Sequence, residues 1–143
     1  MTSKEYLSQI YNLDHKIYLM QLEVDEYRRL ADSVPGPNYD KPFMNNPNPN
    51  TEAPFMKWLT KALDKEREIE KEIERLNNLK IEVLEVIDKL DNLEYRMLLK
   101  FRYLQALSFG EISKKMYASP SSIKRWHNEA LELIVVPEKY VNL

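Results

Sequence analysis

The segment DNLEYRMLLKFRYLQALSFGEISKKMYASPSSIKRWHNEALELI, residues 91–134, decides the fold of the C-terminal part of the chain. Its apolar residues recur at helical spacing in three consecutive stretches, which two breaks separate. Asp91 or Asn92 is a suitable N-cap for the first helix, which should run from about residue 93 to residue 107. The segment therefore predicts three short helices that pack together.

Local signals mark the starts of the second and third helices. Ser108, followed three residues later by Glu111, has the pattern of a capping box and predicts a helix over residues 109–116. After a two-residue turn, Ser119 can cap the third helix, and Pro120 suits its first position because the N–H there has no partner within the helix. This order of elements is the layout of a helix-turn-helix.

The third helix has two chemically different faces. Its inward face should bury Ile123, Trp126, Ala130 and either Leu133 or Ile134. The first half of its outward face carries Ser121, Ser122, Lys124, Arg125 and Asn128. Lys and Arg can pair with guanine, Asn can bridge adenine, and Ser can contact a base or a phosphate. The pattern predicts a helix that reads the major groove of double-stranded DNA.

Further basic residues flank this helix. Lys114 and Lys115 precede the turn, while Lys100 and Arg102 lie on the first helix, and all four suit phosphate contacts that position a protein on DNA. His127 should be a phosphate or helix-surface contact. We therefore expect the DNA-binding set to be Ser121, Ser122, Lys124, Arg125, His127, Asn128, Lys114 and Lys115. The competing interpretation is a three-helix cap that only terminates the preceding coiled coil.

The first 90 residues predict two long helices. One should run over residues 3–31, with a heptad stripe of Tyr6, Ile10, Leu13, Ile17, Met20, Val24 and Tyr27. The other should run over residues 54–90, with polar Glu66 and Lys80 in its seam and an apolar stripe of Leu59, Ala62, Ile69, Ile73, Leu76, Val83, Ile87 and Leu90. Neither helix is stable alone with one apolar stripe, so we expect an antiparallel coiled-coil hairpin. Parallel pairing with a second chain is the alternative.

Residues 33–54 contain six of the eight prolines and one of the two glycines, so they predict a connector without helix or central strand. A connector of this length is either a mobile linker or an ordered binding loop. The expected organisation is an all-α chain, with an oligomerisation or partner-binding domain over residues 1–90 and a DNA-binding domain over residues 91–143.

Composition and charge restrict the functional class. There is no cysteine, no apolar run of membrane-spanning length and no signal-peptide core, so we expect a cytoplasmic protein without disulfides. The two histidines stand apart, and no phosphate-binding glycine loop is present, so we expect no catalytic residues, metal or cofactor. Residues 91–143 carry 8 Lys and Arg against 6 Asp and Glu, a net +2 that favours a dimer over an isolated DNA-binding monomer.

The C-terminal segment also resembles a known family. The residues that carry the resemblance are Tyr95–Arg96, Phe101–Arg102–Tyr103–Leu104, Phe109–Gly110–Glu111–Ile112–Ser113, and Ser119, Ile123, Arg125, His127, Ala130 and Leu131. They are similar to those of phage-encoded regulators of Gram-positive bacteria with a sigma-factor region-4-like helix-turn-helix, including ArpU-like and RinA-like late-transcription regulators. Many such proteins have glycine in the turn, where this chain has Tyr117. The resemblance implies DNA binding at a phage promoter region and suggests contact with the host RNA polymerase.

The sequence therefore predicts a non-enzymatic transcription regulator of phage or prophage origin. Two alternatives belong to other classes. One is a DNA-packaging recognition protein similar to a terminase small subunit, and the other is a helical adaptor that does not bind DNA.

Overall fold

A computed structural model of the chain describes residues 1–33 and 54–138. These residues form five α-helices and no strand: α1 (Ser3–Ser33), α2 (Pro54–Asp88), α3 (Leu93–Leu99), α4 (Phe109–Met116) and α5 (Pro120–Leu133). The predicted all-α class is confirmed. Within the described ranges, no helix combines the length and apolarity needed to cross a membrane. The connector predicted for residues 33–54 lies outside these ranges, apart from its two end residues.

The chain divides into two compact units. Unit 1 comprises Met1–His15 together with the chain from Glu74 onward, and unit 2 comprises Lys16–Ile73. Each unit therefore takes one part of α1 and one part of α2. The predicted functional division between residues 1–90 and 91–143 stays a prediction.

Helix α1 has a side-chain cap at its start and an apolar inward face. The hydroxyl of Thr2 accepts a hydrogen bond from the backbone N–H of Glu5 at 3.1 Å, so Thr2 is the N-cap. The predicted heptad stripe is confirmed as the inward face of the helix. Its residues are buried in unit 1 at Tyr6, Ile10 and Leu13 and in unit 2 at Met20 and Val24, while Ile17 and Tyr27 are half-buried.

Unit 2 has a small apolar core with charged margins. Met20 and Val24 of α1 pack with Ala62 and Ile69 of α2. Three ion pairs join the helices in unit 2: Lys16 with Glu72 at 3.2 Å, Glu23 with Lys65 at 3.1 Å, and Arg28 with Glu66. Residue 16 of α1 pairs with residue 72 of α2, whereas residue 28, later in α1, pairs with residue 66, earlier in α2. The two segments therefore run antiparallel. The ion pairs set the register of the two helices more than they stabilise them, because exposed pairs contribute little.

The inward face of α2 keeps most of its predicted stripe, since five of the predicted residues on the helix are buried: Ala62, Ile69, Leu76, Val83 and Ile87. Ile73 is 41% exposed, so its predicted burial is wrong. Further along α2, Leu79, Val83, Val86 and Ile87 are all buried. A strict heptad stripe is narrow and suits a single partner helix, whereas these four residues form the wider face of a helix in a globular core. Unit 1 therefore uses α2 as a core helix.

Helix α3 is shorter than predicted. The side chain of Asn92, not Asp91, caps it by accepting the N–H groups of Glu94 at 2.8 Å and Tyr95 at 3.2 Å. The α-helical pattern ends at Leu99, and a π-helical turn follows over Lys100–Leu104. Ala106 then takes a positive φ of 57°. The predicted continuation to residue 107 is wrong because the chain changes hydrogen-bond pattern before it reaches α4.

The wide inward face of α2 gives a stability prediction. Replacing the fully buried Ile87 by Ala should lower the free energy of unfolding by about 2–5 kcal/mol, because the substitution removes buried methylene groups and leaves a cavity. Ile81 lies on the same helix and is 57% exposed, which makes Ile81→Ala the matched control. The control should change the free energy by less than about 0.5 kcal/mol. Urea unfolding monitored by circular dichroism measures both, and similar losses in the two variants would contradict this packing.

Candidate nucleic-acid interface

Helix α4 starts at the predicted capping box. The hydroxyl oxygen of Ser108 accepts the backbone N–H of Glu111 at 3.2 Å, and the same hydroxyl donates to the carboxylate of Glu111 at 3.1 Å. The side chains of Lys114 and Lys115 lie in the last turn of α4 and are exposed. The Lys115 ammonium lies 5.8 Å from the ring centre of Phe101. Both lysines are therefore available to a ligand, with Lys115 lying over an aromatic ring.

The turn between α4 and α5 depends on a left-handed residue. Tyr117 has φ 53° and ψ 43°, and its backbone N–H donates to the carbonyl of Ser113. The hydroxyl of Ser113 donates to the carbonyl of Ala118, which is a second hydrogen bond across the turn. An L-residue with a side chain is strained in this conformation, by about 1–2 kcal/mol. Tyr117 thus adopts the backbone geometry for which glycine would be the unstrained residue.

Helix α5 starts as predicted. The hydroxyl oxygen of Ser119 accepts the backbone N–H of Ser122 at 3.2 Å, and Pro120 occupies the first turn. The Ser119 hydroxyl also donates to the hydroxyl of Ser122 at 2.8 Å and lies 3.2 Å from that of Ser121. The two serines therefore belong to a hydroxyl cluster at the start of the helix.

The inner and outer faces of α5 separate apolar from polar residues. Ile123, Ala130 and Ile134 are buried, Trp126 is half-buried, and Leu133 is exposed. Of the two predicted alternatives, Ile134 is the inward residue. On the outer face, Ser121, Lys124, Arg125 and Asn128 are exposed, and Ser122 is half-buried. The sequence predicts that these five residues point outward, and four of them are exposed.

Arg125 has an acidic neighbour on its own helix. Its Nε lies 3.9 Å from Oε1 of Glu129, and the hydroxyl of Tyr95 on α3 donates to the same carboxylate. That hydrogen bond raises the pKa of the Tyr95 hydroxyl. An exposed ion pair of this length is weak, so the Arg125 guanidinium can exchange Glu129 for another acceptor at little cost.

His127 does not lie on the surface. It is buried, its Nε2 lies 2.8 Å from the hydroxyl of Tyr103, and the edge of its ring meets the Phe109 ring at 5.2 Å between centres. Burial, followed by the charges of Arg102 and Lys4, lowers the pKa of the imidazole. The predicted surface contact is wrong, because His127 continues the 4-3-4 spacing of Ile123, Ala130 and Ile134. That spacing was the signal available in the sequence.

Two of the predicted phosphate contacts have partners within unit 1. Arg102 donates to the carbonyl of Leu107 at 3.0 Å, and its guanidinium covers the Phe109 ring at 4.3 Å from the centre. The Lys100 ammonium lies 2.7 Å from the carboxylate of Asp88. Arg102 therefore stabilises the loop before α4. Lys100 links the π-helical turn to Asp88 at the end of α2.

Metal ligands do not assemble in the described part of the chain. The sequence has no cysteine, and His, Asp and Glu side chains of residues 1–33 and 54–138 form no group of three that could hold a metal ion. Protein metal sites usually need at least three such ligands.

The chain belongs to a protein family of unknown function, DUF1492, whose profile matches residues 58–134. The match covers more than half of the chain and includes most of α2 together with α3, α4 and α5. No curated protein and no solved structure matches the chain.

The turn geometry generates a prediction about Tyr117. Tyr117→Gly should stabilise the protein by up to about 1 kcal/mol, because it removes left-handed strain that exceeds the extra entropy of glycine in the unfolded chain. Tyr117→Ala is the matched control: it deletes the 97% exposed ring without relieving the backbone, and should leave stability nearly unchanged. Urea denaturation midpoints measure both effects. Equal midpoints for the two variants would refute strain at this residue.

The burial of His127 generates a prediction about pH. Its pKa in the folded protein is below the ordinary value of 6.5, so the unfolded chain binds a proton more readily than the folded chain. The contribution of His127 to the free energy of unfolding is fully present above pH 6.5. It is lost as the pH falls through the pKa that the imidazole has in the folded protein. In His127→Gln, the free energy of unfolding should therefore fall less between pH 7.5 and the acidic range than in the wild type.

His15, the other histidine, is exposed and supplies the control. His15→Gln replaces an exposed imidazole by the same amide and is measured beside His127→Gln. The comparison uses the slope of the unfolding free energy against pH. A loss of packing in His127→Gln lowers that free energy at every pH and therefore does not change the slope. A slope in His127→Gln identical to that of the wild type would exclude this linkage.

Proposed function

We propose that this member of the DUF1492 family is a DNA-binding transcription regulator that reads the major groove with the part of α5 that precedes Glu129. The observation that carries the proposal is the separation of faces on this helix. Ile123 and Ala130 are buried, while Lys124, Arg125 and Asn128 are exposed on the opposite side. A recognition helix has this property, because one face fixes it to the domain and the other meets base edges.

The exposed groups match the chemistry of base edges and phosphates. Arg125 can make two hydrogen bonds to guanine, Asn128 can make two to adenine, and Lys124 can reach guanine or a phosphate. Ser121, Ser122, Lys114 and Lys115 suit phosphate oxygens, which position the protein without reading sequence. His127 takes no part, because its imidazole is buried.

The charge along α5 limits which part of the helix enters the groove. Glu129 and Glu132 lie in the second half, and Glu132 is exposed. Carboxylates repel the phosphate backbone, whereas the first half presents two basic residues, Lys124 and Arg125. The reading surface is therefore confined to the part of α5 that ends at Asn128.

Dimerisation completes the proposal. The antiparallel packing in unit 2 supports a coiled-coil hairpin built from α1 and α2, with the C-terminal helices as a helix-turn-helix. Tyr18, Leu19 and Leu22 are large apolar residues on α1 that unit 2 leaves exposed, and a second copy of the chain would cover them. A dimer presents two reading helices, which compensates for the net charge of only +2 in residues 91–143.

The regulatory context comes from the sequence resemblance. Similarity to late-transcription regulators of phages supports a phage promoter region as the target and host RNA polymerase as a second partner. The cytoplasm of the host cell is the corresponding compartment. A terminase-like packaging role and a helical adaptor remain the alternatives, and neither is favoured by a specific structural observation.

Selection from a random duplex library with the full chain should yield a preferred DNA sequence. Arg125→Ala should then weaken binding to that duplex by about 1–3 kcal/mol, or roughly 5- to 150-fold, if the guanidinium makes a bidentate guanine contact. Specificity should relax at one base pair of the selected site. Fluorescence anisotropy with the selected duplex and single-base variants measures both effects.

Arg67→Ala is the matched control. Arg67 is an exposed arginine on α2 whose guanidinium lies 3.9 Å from Asp64, a helix-surface pair of the same length as that of Arg125. The control should bind like the wild type. If Arg125→Ala and Lys124→Ala both keep wild-type affinity at every salt concentration, α5 is not the reading helix. Failure to select any preferred duplex would favour the adaptor.

A further inference from the structure

A groove in unit 1 lies along the side of α5. The first half of α1 forms one wall, with Lys4, Ser8 and Asn12. Arg102, Lys124 and Asn128 contribute to the opposite side. The groove encloses about 560 Å³ and is open to solvent along its length. It therefore joins part of the proposed reading surface to a helix more than 100 residues away in sequence.

The N-terminal end of α1 is held beside α5 by direct contacts. The hydroxyl of Ser3 donates to the carbonyl of Ile134 at 3.3 Å, just beyond the end of α5. Tyr6 and Leu7, in the next turn of α1, are fully buried. Burial of these two residues fixes the rotation of α1. The wall that carries Lys4, Ser8 and Asn12 is thus a fixed part of unit 1.

The lining of the groove has one sign of charge. Lys4, Arg102 and Lys124 are basic, and none of the twelve lining residues is acidic. The whole chain, by contrast, has a formal charge of −2, with 23 acidic residues. A concave surface with basic groups and no acidic group raises the local concentration of anions.

The chemistry of the lining favours phosphate over a stacked base. The hydroxyl of Ser8 and the amides of Asn12 and Asn128 are hydrogen-bond donors suited to phosphate oxygens. The aromatic rings of the groove already pack against other groups: Phe109 lies under Arg102, Tyr103 stacks on His127 at 5.7 Å, and Tyr11 stacks on His15 at 6.2 Å. Base-stacking sites need an open ring face.

We infer that this groove binds the phosphate group of an anionic ligand, with Lys4, Lys124 and Asn12 as its principal contacts. Lys124 and Asn128 also belong to the proposed reading face, so a backbone phosphate of the DNA that α5 reads is the first source. This assignment of the source rests on the proposed function. A free nucleotide carries the same phosphate chemistry and is the second source.

Phosphate binding in this groove gives α1 a second role. Its first three turns supply a contact to the DNA backbone beside the reading helix, in addition to core residues. Because such a contact is to phosphate, it should contribute equally on every DNA sequence. Its measurable sign is the dependence of affinity on salt rather than a change in sequence preference.

The test compares Lys4→Ala with Lys89→Ala in the chain of 143 residues. Both lysines are exposed residues of unit 1, and Lys89 does not line the groove. In the first arm, binding to the selected duplex and to a mixed-sequence duplex is measured over a range of salt concentrations. Lys4→Ala should reduce the slope of log K against log salt by about 0.9 on both duplexes, which corresponds to one lost phosphate contact. Lys89→Ala should keep the wild-type slope.

In the second arm, adenosine monophosphate is titrated into the isotope-labelled protein and followed by NMR. Shifts at the backbone amides of Ser8, Asn12 and Asn128 that Lys4→Ala abolishes would support the groove with a free nucleotide as ligand. If no duplex binds, this result supports the groove while the proposed function fails.

Two outcomes overturn the inference. In one, duplex binding is weakened by Arg125→Ala, but Lys4→Ala has the same salt slope as Lys89→Ala and the nucleotide shifts no amide of the groove. The proposed function then stands without the groove. In the other, neither the duplexes nor the nucleotide bind, and both proposals fail. Circular dichroism of Lys4→Ala confirms that each result concerns a folded protein.

Discussion

The rest of unit 1 depends on the burial of the inner face of α5. Ile123, His127, Ala130 and Ile134 are all removed from solvent on that face. Three of these residues contribute apolar surface, and burying such surface is the main favourable term in folding. The fourth brings polar nitrogen atoms into the core, where a partner is required, and Tyr103 supplies it through its hydroxyl. The position of α5 therefore fixes the π-helical turn that carries Tyr103. Burial of the inner face of α5 also determines which of its residues lie on the outer face.

Features that arise from neighbouring residues were predictable from the sequence. The capping box of Ser108 and Glu111 and the Ser119–Pro120 start of α5 need only groups three residues apart, and both occur in the structure. The heptad stripe of α1 was also predictable, because a helical period repeated over several turns is hard to obtain by chance. In these places the local chemistry and the final fold agree.

Features that depend on distant parts of the chain were not predictable in the same way. The inward face of α2 widens in unit 1 to include Leu79 and Val86, which a stripe assigned from one helix pair omits. His127 was interpreted by its charge type instead of its position on the helix, and its burial became clear only beside Tyr103 and Phe109. Lys4 carries no local signal at all. Its place in the same groove as Lys124 results from the packing of α1, which no pattern within either helix encodes.

The two faces of α5 are subject to different physical constraints. The cap of the helix comes from Ser119, and its anchoring comes from the inner face, so Lys124, Arg125 and Asn128 contribute almost nothing to holding the helix in place. Substitutions at exposed positions of this kind usually change stability by less than about 0.5 kcal/mol. Exchange of these three side chains should therefore leave the fold intact. The scaffold can be inherited unchanged while the chemistry that it presents diversifies from one lineage to the next.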